Sequence, residues 1–497
     1  MKDKTAKVIK KEYFFLLSFI LGFSVIWVYY FINWSSTASQ DAFWYVRLSE
    51  NLIKGKGYTL DGNYPHAQYP PGLPILLTPF SLFLSNNQHL GIILIYFFAV
   101  ISIILSFFIG KELFGVFGGM VSSFLITLNS IFIANSTLIC SEIPFLFFST
   151  LGLYLFIKSY EKRNLIIPAT ACLSFSALIR YDGLLLIFPI AFYMFLRKKD
   201  FEDFFFSKKT FIAIGIAILI LGPWFLRNFI VFGNPFANSY NSGDTGITFQ
   251  HTLEYLFLLK DAGVFFVIFF IGGFIIFLFK EYKNKMLATF FVWFVVYTLL
   301  HIWWWSRSLR FYCEVLIIMV LFSTLFFVFI FNRLKKINKK YFYLIVFLVT
   351  LLYAFEQIFV FLPKQDQIII FNFYDPIKQI SEYSSQNLPK DAVLVVPEWV
   401  VYTTFIKDKN ILDYRSGFNY LLSTNNTIYF FTDNLHSWLV DPFYPKEGKI
   451  VLQVQTQQGF PVKLEMKAKE IKTFEKQLRD REINATLWEI KGFRIIS

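Results

Sequence analysis

The chain has 497 residues, of which 56% are hydrophobic, and its mean hydropathy is +0.52. A soluble protein cannot bury that much apolar surface, whereas a bilayer can receive it, so the composition predicts a polytopic membrane protein. The net charge of +13 is concentrated in loops between apolar runs, where membrane topology explains it, so nucleic acid is not expected as a partner. The three cysteines are dispersed and form neither a disulfide framework nor a zinc motif.

Apolar runs of a length suited to cross ~30 Å of hydrocarbon as helices recur up to residue 361. We count eleven, at about 13–33, 89–109, 113–133, 143–158, 163–179, 183–197, 210–232, 262–280, 286–305, 311–332 and 341–361. The first is longer than the ~7–15 apolar residues of a secretory signal, so we interpret it as an uncleaved anchor.

Lysine and arginine are concentrated before the first run and in every second loop after it. Because basic loops stay in the cytoplasm, the N-terminus is predicted to be cytoplasmic and the long first loop, 34–88, to face outward. An odd number of spans also places the C-terminal part outside. We therefore expect a multi-pass protein of the plasma or inner membrane, surrounded by the lipid bilayer.

Residues 362–497 are expected to form an extracytoplasmic α/β domain, separate from a transmembrane domain at 1–361. Strand-length apolar runs occur at Ala392–Val396, Ile411–Tyr414, Ile428–Phe431 and Ile450–Val454. Helical periodicity predicts helices at Ile377–Gln386 and Lys467–Leu478. No nucleotide-binding or metal-ligand motif is found in this part, so a cap or acceptor-binding module is the simplest interpretation.

Polar residues near hydrocarbon are costly, and those of this chain occur where the predicted spans reach the outer surface. Asp41 precedes the amphipathic run Ala42–Ile53 and could take a proton from an attacking hydroxyl or bind a metal, although it also fits a helix N-cap. Glu142, in Cys140-Ser141-Glu142-Ile143-Pro144, is a second candidate acid. It fits equally well at a helix start, where the helix dipole favours a carboxylate.

The first loop also contains a stiff turn, Tyr69-Pro70-Pro71-Gly72-Leu73-Pro74, which follows His66. His66 could act as a base, although a lone loop histidine is more often a surface hydrogen bonder.

The segments around Arg180-Tyr181-Asp182-Gly183 are too short to cross the membrane. Leu165–Ile179 and Leu184–Leu196 give only about 22 Å and about 20 Å of helix, less than the ~30 Å of hydrocarbon. The turn between them is therefore predicted to lie in a recessed, protein-lined wet cavity. There Arg180 could bind a phosphate-bearing ligand, or it could simply pair with Asp182.

Three further arginines stand near predicted span ends: Arg227, in Pro223-Trp224-Phe225-Leu226-Arg227-Asn228, and Arg307 and Arg310 after the tryptophans 303–305. Such residues often only anchor the membrane interface. Because all of them reach the same predicted surface as Arg180, they also suit a shared anion-binding cavity.

Taken together, these segments resemble the GT-C superfamily of glycosyltransferases, in the branch of protein O-mannosyltransferases and the lipid A aminoarabinose transferase. The matching pieces are Asp41-Ala-Phe-Trp-Tyr, Tyr69-Pro-Pro-Gly-Leu-Pro, Ser141-Glu-Ile-Pro-Phe, Leu178-Ile-Arg-Tyr-Asp-Gly, Pro223-Trp-Phe-Leu-Arg-Asn with Gly233-Asn-Pro-Phe, and Arg310-Phe-Tyr.

The resemblance implies an enzyme that moves a sugar from a polyprenyl-phosphate-linked donor to an extracytoplasmic acceptor (protein, lipid or glycan), with inversion. It assigns Asp41 as general base or acceptor-orienting carboxylate and Glu142 as a second acidic residue. It implies that Arg180, Arg227 and Arg310 surround the donor phosphate. Arg307 is a further candidate for phosphate binding, and the candidate supporting residues are Tyr45, His66, Tyr69, Tyr181 and Asp182. Ala42 follows Asp41 where many relatives have Glu, so a divalent cation is left open and no other cofactor is expected.

A lipid or glycan transporter is the alternative, since it too combines many spans with arginines in a cavity. Transporters, however, favour repeated halves and charges near the midplane of the bilayer, whereas the polar residues here are concentrated at one face.

Overall fold

A computed structural model describes residues 2–33, 40–81, 89–237, 247–304, 308–334, 339–362, 375–396, 402, 406, 409–413, 428–433, 449–455, 461–478 and 481–496. The chain forms two compact units. One comprises Met1–Asn33 with Leu48–Ile369, and the other comprises Trp34–Arg47 with Ile370–Ser497. The division into domains at residue 361 stays a prediction.

The first unit is mainly helical. The helices up to residue 355, of which α2 begins in the second unit, are α1 Lys2–Asn33, α2 Gln40–Ile53, α3 Gly72–Leu77, α4 His89–Leu128, α5 Ser130–Asn135, α6 Glu142–Ser159, α7 Ile166–Ile179, α8 Ile187–Leu196, α9 Phe201–Phe205, α10 Lys208–Phe232, α11 Phe249–Phe257, α12 Val264–Ile276, α13 Lys285–Trp303, α14 Leu316–Leu334 and α15 Lys339–Phe355. Short 3-10 segments are Thr78–Phe80, Arg163–Leu165, Tyr181–Leu186, Lys198–Asp200, Leu258–Ala262 and Leu309–Val315, and π-helices are Phe277–Glu281 and Glu356–Phe361.

Seven helical segments of the described chain are long and apolar enough to cross a membrane: Tyr13–Ile32, Leu90–Leu128, Glu142–Ser159, Lys208–Phe232, Val264–Glu281, Lys285–Trp303 and Leu309–Leu334. Shorter apolar helices are Arg163–Ile179, Tyr181–Leu196 and Val346–Val360. The longest segment is interrupted at Gly115, whose φ is 75°, and it covers two of the predicted crossings. The multi-pass helical class is therefore confirmed, whereas the count of eleven crossings stays a prediction.

Two glycines let loops approach the C-terminal end of α7. A Cβ on Gly72 would lie 2.6 Å from the backbone of Leu178 and Ile179, and a Cβ on Gly183 would lie 2.6 Å from the backbone nitrogen of Ala177. No real side chain tolerates such approaches, so only glycine allows this packing. The Pro-Pro-Gly turn of the first loop thus packs directly against the end of the helix that precedes Arg180.

The same region has an apolar core. Leu48, Tyr58, Leu178 and Trp224 are buried together, and they come from α2, the first loop, α7 and α10. Burial of these side chains fixes the first loop against two helices of the first unit.

A carboxylate and an amide next to each other in the π-helix Glu356–Phe361 join separate helices. The Glu356 carboxylate accepts hydrogen bonds from the backbone nitrogens of Val264 and Phe265, at 2.9 and 3.1 Å. Gln357 Oε1 accepts from Ser130 N at 2.9 Å. Glu356 therefore caps the N-terminus of α12, where the helix dipole favours negative charge.

The described part of the second unit includes helix α16, Asp375–Asn387, and a six-stranded sheet. The strands are β1 Val393–Val396, β2 Asn410–Asp413, β3 Ile428–Asp433, β4 Lys449–Gln455, β5 Pro461–Leu478 and β6 Arg481–Ile496. Their order is β2-β1-β3-β6-β5-β4, in which β1 pairs in parallel with β2 and β3 and the other pairs are antiparallel. The four predicted strands and the predicted helix at Ile377–Gln386 are confirmed.

The predicted helix at Lys467–Leu478 is wrong, because these residues form the second part of β5 and pair with β6. The register shifts between Lys467 and Ala468 and again between Glu470 and Lys472. The first shift leaves Lys491 of β6 without a partner, and the second leaves Ile471 of β5 without one. The spacing of apolar residues in this segment is therefore not evidence of a helix, because pairing with β6 determines its conformation.

Candidate active site

Arg180 lies directly after α7, in extended conformation, and its guanidinium lies among several carboxylates. Nε and Nη2 donate to Asp182 Oδ2 at 3.1 and 3.0 Å, and Nε also lies 3.0 Å from Glu314 Oε2. Nη1 donates to Ser141 Oγ at 3.1 Å and lies 3.6 Å from Glu142 Oε1. The sequence analysis predicted an Arg180–Asp182 pair as one of two possibilities, and the pair is present. Arg180 also contacts Glu142 and Glu314, so the pair is part of a larger network.

Glu142 joins a second arginine to this network. It begins α6 and is 2% exposed, and its Oε1 lies 3.4 Å from Arg310 Nε. The guanidinium carbons of Arg180 and Arg310 lie 5.5 and 5.3 Å from the ring centre of Phe311. Arg310 is 32% exposed, compared with 19% for Arg180. The buried carboxylate of Glu142 is therefore close to two guanidinium groups, of which that of Arg310 is the more exposed to solvent.

The carboxylates outnumber the guanidinium groups in this cluster. Burial alone would lower the pKa of a guanidinium, but Glu314 and Asp182 outweigh it and raise the pKa of Arg180 above its ordinary value. Arg180 therefore stays cationic at every physiological pH.

Glu314 and His301 were missed by the sequence analysis. Both are buried, with exposures of 0% and 2%. Together with Asp182 they can each offer one metal-ligand atom, and these atoms lie within 4.8 Å of one another. A sequence signal did exist for Glu314, because it is a lone carboxylate in the apolar segment Leu309–Leu334 and ionisable residues in such segments usually have a function.

Arg227 has a different set of contacts. Its Nη1 donates to the carbonyl oxygen of His66 at 2.7 Å, and its Nη2 donates to that of Tyr58 at 3.3 Å. Its guanidinium carbon lies 5.0 Å from the ring centre of Trp224. Arg227 therefore holds the first loop against α10.

His66 is also part of the folded loop. Its Nε2 accepts a hydrogen bond from Tyr69 N at 3.2 Å, and the two rings stack with centres 5.7 Å apart. Burial, and next the positive charge of Arg227, lower the pKa of His66 to about 4. The imidazole is therefore neutral at neutral pH.

Tyr181 connects the two groups of residues. Its hydroxyl donates to the carbonyl oxygen of Ala67 at 3.2 Å and accepts from Trp224 Nε1 at 2.9 Å. Its neighbours Arg180 and Asp182 belong to the carboxylate cluster. The turn after α7 thus links the first loop to the cluster.

The predicted site residues are therefore distributed as follows. One cluster contains Glu142, Arg180, Asp182 and Arg310, and a second contains His66, Tyr69, Tyr181 and Arg227. Asp41 lies partly exposed in the first turn of α2, and Tyr45 is buried on the same helix. Both belong to the second unit, so their convergence with Arg180 stays a prediction. Arg307 lies outside the described residues.

Comparison with known proteins gives a family match and a fold match. Residues 68–226, about a third of the chain, match the family model described as dolichyl-phosphate-mannose-protein mannosyltransferase. The crystal structure of ArnT from Cupriavidus metallidurans in the apo state is similar with a TM-score of 0.62 at 10% identity. The structure of the same protein bound to undecaprenyl phosphate gives 0.63 at 9% identity. Both comparisons cover 95% of this chain and 97% of the other. No curated protein matches the sequence.

The fold defines the class: a multi-pass helical membrane protein of the ArnT type with a C-terminal sheet. The family match includes the stiff turn, Glu142 and the Arg180 turn, which are three of the motifs that carried the resemblance. The family model, over a third of the chain, and the ArnT-like fold both agree with the GT-C resemblance found in the sequence.

Proposed function

We propose that this chain is a GT-C glycosyltransferase that takes its sugar from a polyprenyl-phosphate-linked donor and transfers it to an extracytoplasmic acceptor. The observation that carries the proposal is the network in which Arg180 and Arg310 lie 3.6 and 3.4 Å from the same buried oxygen, Glu142 Oε1. The likeness in fold to a protein whose structure was determined with undecaprenyl phosphate supports the same donor class. Apolar side chains exposed on α10, such as Phe211, Leu219 and Ile230, suit contact with a prenyl chain or lipid.

The two arginines would stabilise the leaving group. When the bond between the anomeric carbon and the phosphate oxygen breaks, negative charge grows on the carrier phosphate. Guanidinium groups that are already oriented by Glu142, Asp182 and Glu314 need little rearrangement to stabilise that charge. Arg310, which is the more exposed of the two, would contact the phosphate directly. Arg180 would contribute its positive charge without touching the phosphate.

Asp41 would act as the general base. A carboxylate that removes the proton of an acceptor hydroxyl contributes roughly 10²–10⁴-fold to the rate. Direct displacement by that hydroxyl inverts the configuration at the anomeric carbon. Arg227 would support donor binding by fixing the first loop, and Arg307 is proposed as a further phosphate-binding residue.

The basic loops support an orientation in which the N-terminus is cytoplasmic and Asp41 faces outward. The protein would then lie in the plasma or inner membrane, with residues 362–497 as an extracytoplasmic domain that covers the site or binds the acceptor. The acceptor would be a hydroxyl group of a protein, a lipid or a glycan.

The test is transfer of labelled sugar by the purified full-length protein in liposomes, from a panel of synthetic polyprenyl-phosphate sugars to acceptors in native membrane extract. We expect a labelled product with at least one donor and a loss of about 100-fold or more in Asp41→Asn. The matched control is Glu202→Gln, an acidic residue in α9 on the predicted opposite face, which should keep full activity.

Transfer at the wild-type rate in a folded Asp41→Asn protein would remove Asp41 from catalysis. Movement of the intact donor across the liposome, without transfer of its sugar, would instead favour the transporter alternative and overturn the proposal.

A further inference from the structure

Asp182, His301 and Glu314 form a compact group of potential metal ligands within 4.8 Å of one another. Asp182 lies in the turn after α7, whereas His301, at the C-terminal end of α13, and Glu314, in the segment before α14, lie more than a hundred residues later in the chain. The carboxylate of Glu314 is fully buried, and no described residue gives either of its oxygens a hydrogen bond of good geometry. Arg180 Nε lies 3.0 Å from Glu314 Oε2, but the same guanidinium also pairs with Asp182 and Glu142. A further cation or a proton would therefore lower the cost of burying these carboxylates.

The imidazole of His301 is oriented as a ligand. Its Nδ1 lies 3.1 Å from the carbonyl oxygen of Tyr297. A carbonyl oxygen only accepts, so Nδ1 carries the proton and Nε2 presents its lone pair. The ring is held by Tyr297 and Phe311, with centres 4.2 and 4.7 Å away. Metal-binding histidines usually have this arrangement, in which the second ring nitrogen donates to a carbonyl or carboxylate group.

Arg180 holds both carboxylates by one oxygen each. It donates to Asp182 Oδ2 and lies 3.0 Å from Glu314 Oε2. Carboxylates that bind a metal are typically held by further hydrogen bonds of this kind. With Glu142 included, three carboxylates surround two guanidinium groups, so one negative charge is left over in a buried setting.

We propose that Asp182, His301 and Glu314 bind a divalent transition-metal ion, for which Zn²⁺ is the appropriate probe. One imidazole nitrogen and two carboxylate oxygens suit Zn²⁺, and three protein ligands leave a fourth position for water. Typical Zn–ligand distances of about 2.0–2.2 Å require the three ligand atoms to approach one another by about 1 Å. Mg²⁺ prefers oxygen ligands only, so it is the comparison ion.

The experiment measures Zn²⁺ binding to the purified, chelator-treated full chain by equilibrium dialysis and calorimetry. We expect one Zn²⁺ per chain, no comparable Mg²⁺ binding, and affinity lowered at least about 100-fold in His301→Gln and in Glu314→Gln. His251→Gln, which removes a buried histidine of α11 outside the group, is the matched control and should bind as the wild type does. Equal affinity in His301→Gln and His251→Gln would overturn the proposal.

A second measurement covers the case in which a variant does not fold. Zn²⁺ should raise the melting temperature of the wild type, and Co²⁺ should give the visible absorption of a four-coordinate site. If the wild type shows neither effect and binds no stoichiometric Zn²⁺, the buried charge is held by a proton and the metal site does not exist. None of these readouts depends on sugar transfer, so their failure would leave the proposed donor chemistry untouched.

Discussion

Arg180 connects more of the candidate site than any other single residue described above. Its five donors are fixed in one plane, and they reach Ser141, Asp182 and Glu314 at about hydrogen-bond distance. A lysine carries the same charge on a single rotatable ammonium group and cannot make these contacts together. The shape of the guanidinium, and not only its charge, therefore organises the carboxylates.

Arg180→Lys should lower kcat/KM by roughly 10²–10³-fold, because the remaining cation would no longer be held in the position that suits the leaving phosphate. The measurement is the sugar-transfer assay, with separate determination of kcat and KM for the donor. Arg197→Lys is the matched control, since Arg197 pairs with Asp200 at 2.7 Å in another part of the first unit. Equal activity of the two variants would contradict an organising role for Arg180.

His66 makes the stability of the protein depend on pH. Its pKa of about 4 in the folded chain is below the ordinary value of about 6.5. Between these values the unfolded chain takes up a proton that the folded chain does not, so stability is lost as the pH falls from about 6.5 towards 4. We expect a loss of about 1 kcal/mol between pH 7 and pH 5, after allowing for the partial exposure of the ring.

The check is thermal denaturation in detergent at pH 7 and pH 5. His66→Gln removes the titrating group, so the difference between its two melting temperatures should be smaller than that of the wild type. The same difference in both proteins would show that His66 is not the group responsible.

At the scale of elements, the position of the cluster depends on how closely the first loop approaches α7. Gly72 lets the Pro-Pro-Gly turn touch the backbone just before Arg180. On the other side of Arg180, the Tyr181 hydroxyl donates a hydrogen bond to the carbonyl oxygen of Ala67 in the first loop. A substitution at Gly72 that moves the Pro-Pro-Gly turn would therefore also move Arg180.

Gly72→Ala should destabilise the protein by about 1–3 kcal/mol, because the added Cβ would lie 2.6 Å from backbone atoms of Leu178 and Ile179. Backbone atoms inside a helix cannot move aside as a flexible side chain could. It should also reduce sugar transfer, since α7 carries Arg180 at its end. Gly215→Ala, within α10, has no atom within 4 Å of the added Cβ and is the matched control. Melting temperatures of the two variants that agree within error would contradict the close approach.

Local sequence patterns predicted the elements better than the contacts between them. The length of the apolar runs predicted the helices. Asp41 and Glu142 indicated where two helices begin, since each lies in the first turn of its helix. Glu314 and His301 come close to Asp182 only through packing of segments more than a hundred residues away, which no local pattern records. The register shifts in β5 depend likewise on its partner strand, and the sequence of β5 alone does not contain them.

At the scale of the whole molecule, the last apolar helix completes contacts that begin much earlier in the chain. Glu356 supplies the carboxylate that the first amides of α12 need, and Gln357 binds the start of α5. Glu356 is synthesised more than ninety residues after Val264, and Gln357 more than two hundred residues after Ser130. Before then, the first backbone amides of α12 cannot form their hydrogen bonds to Glu356. We therefore expect the packing of α5 and α12 to be completed only after the segment that contains Glu356 and Gln357 has been synthesised.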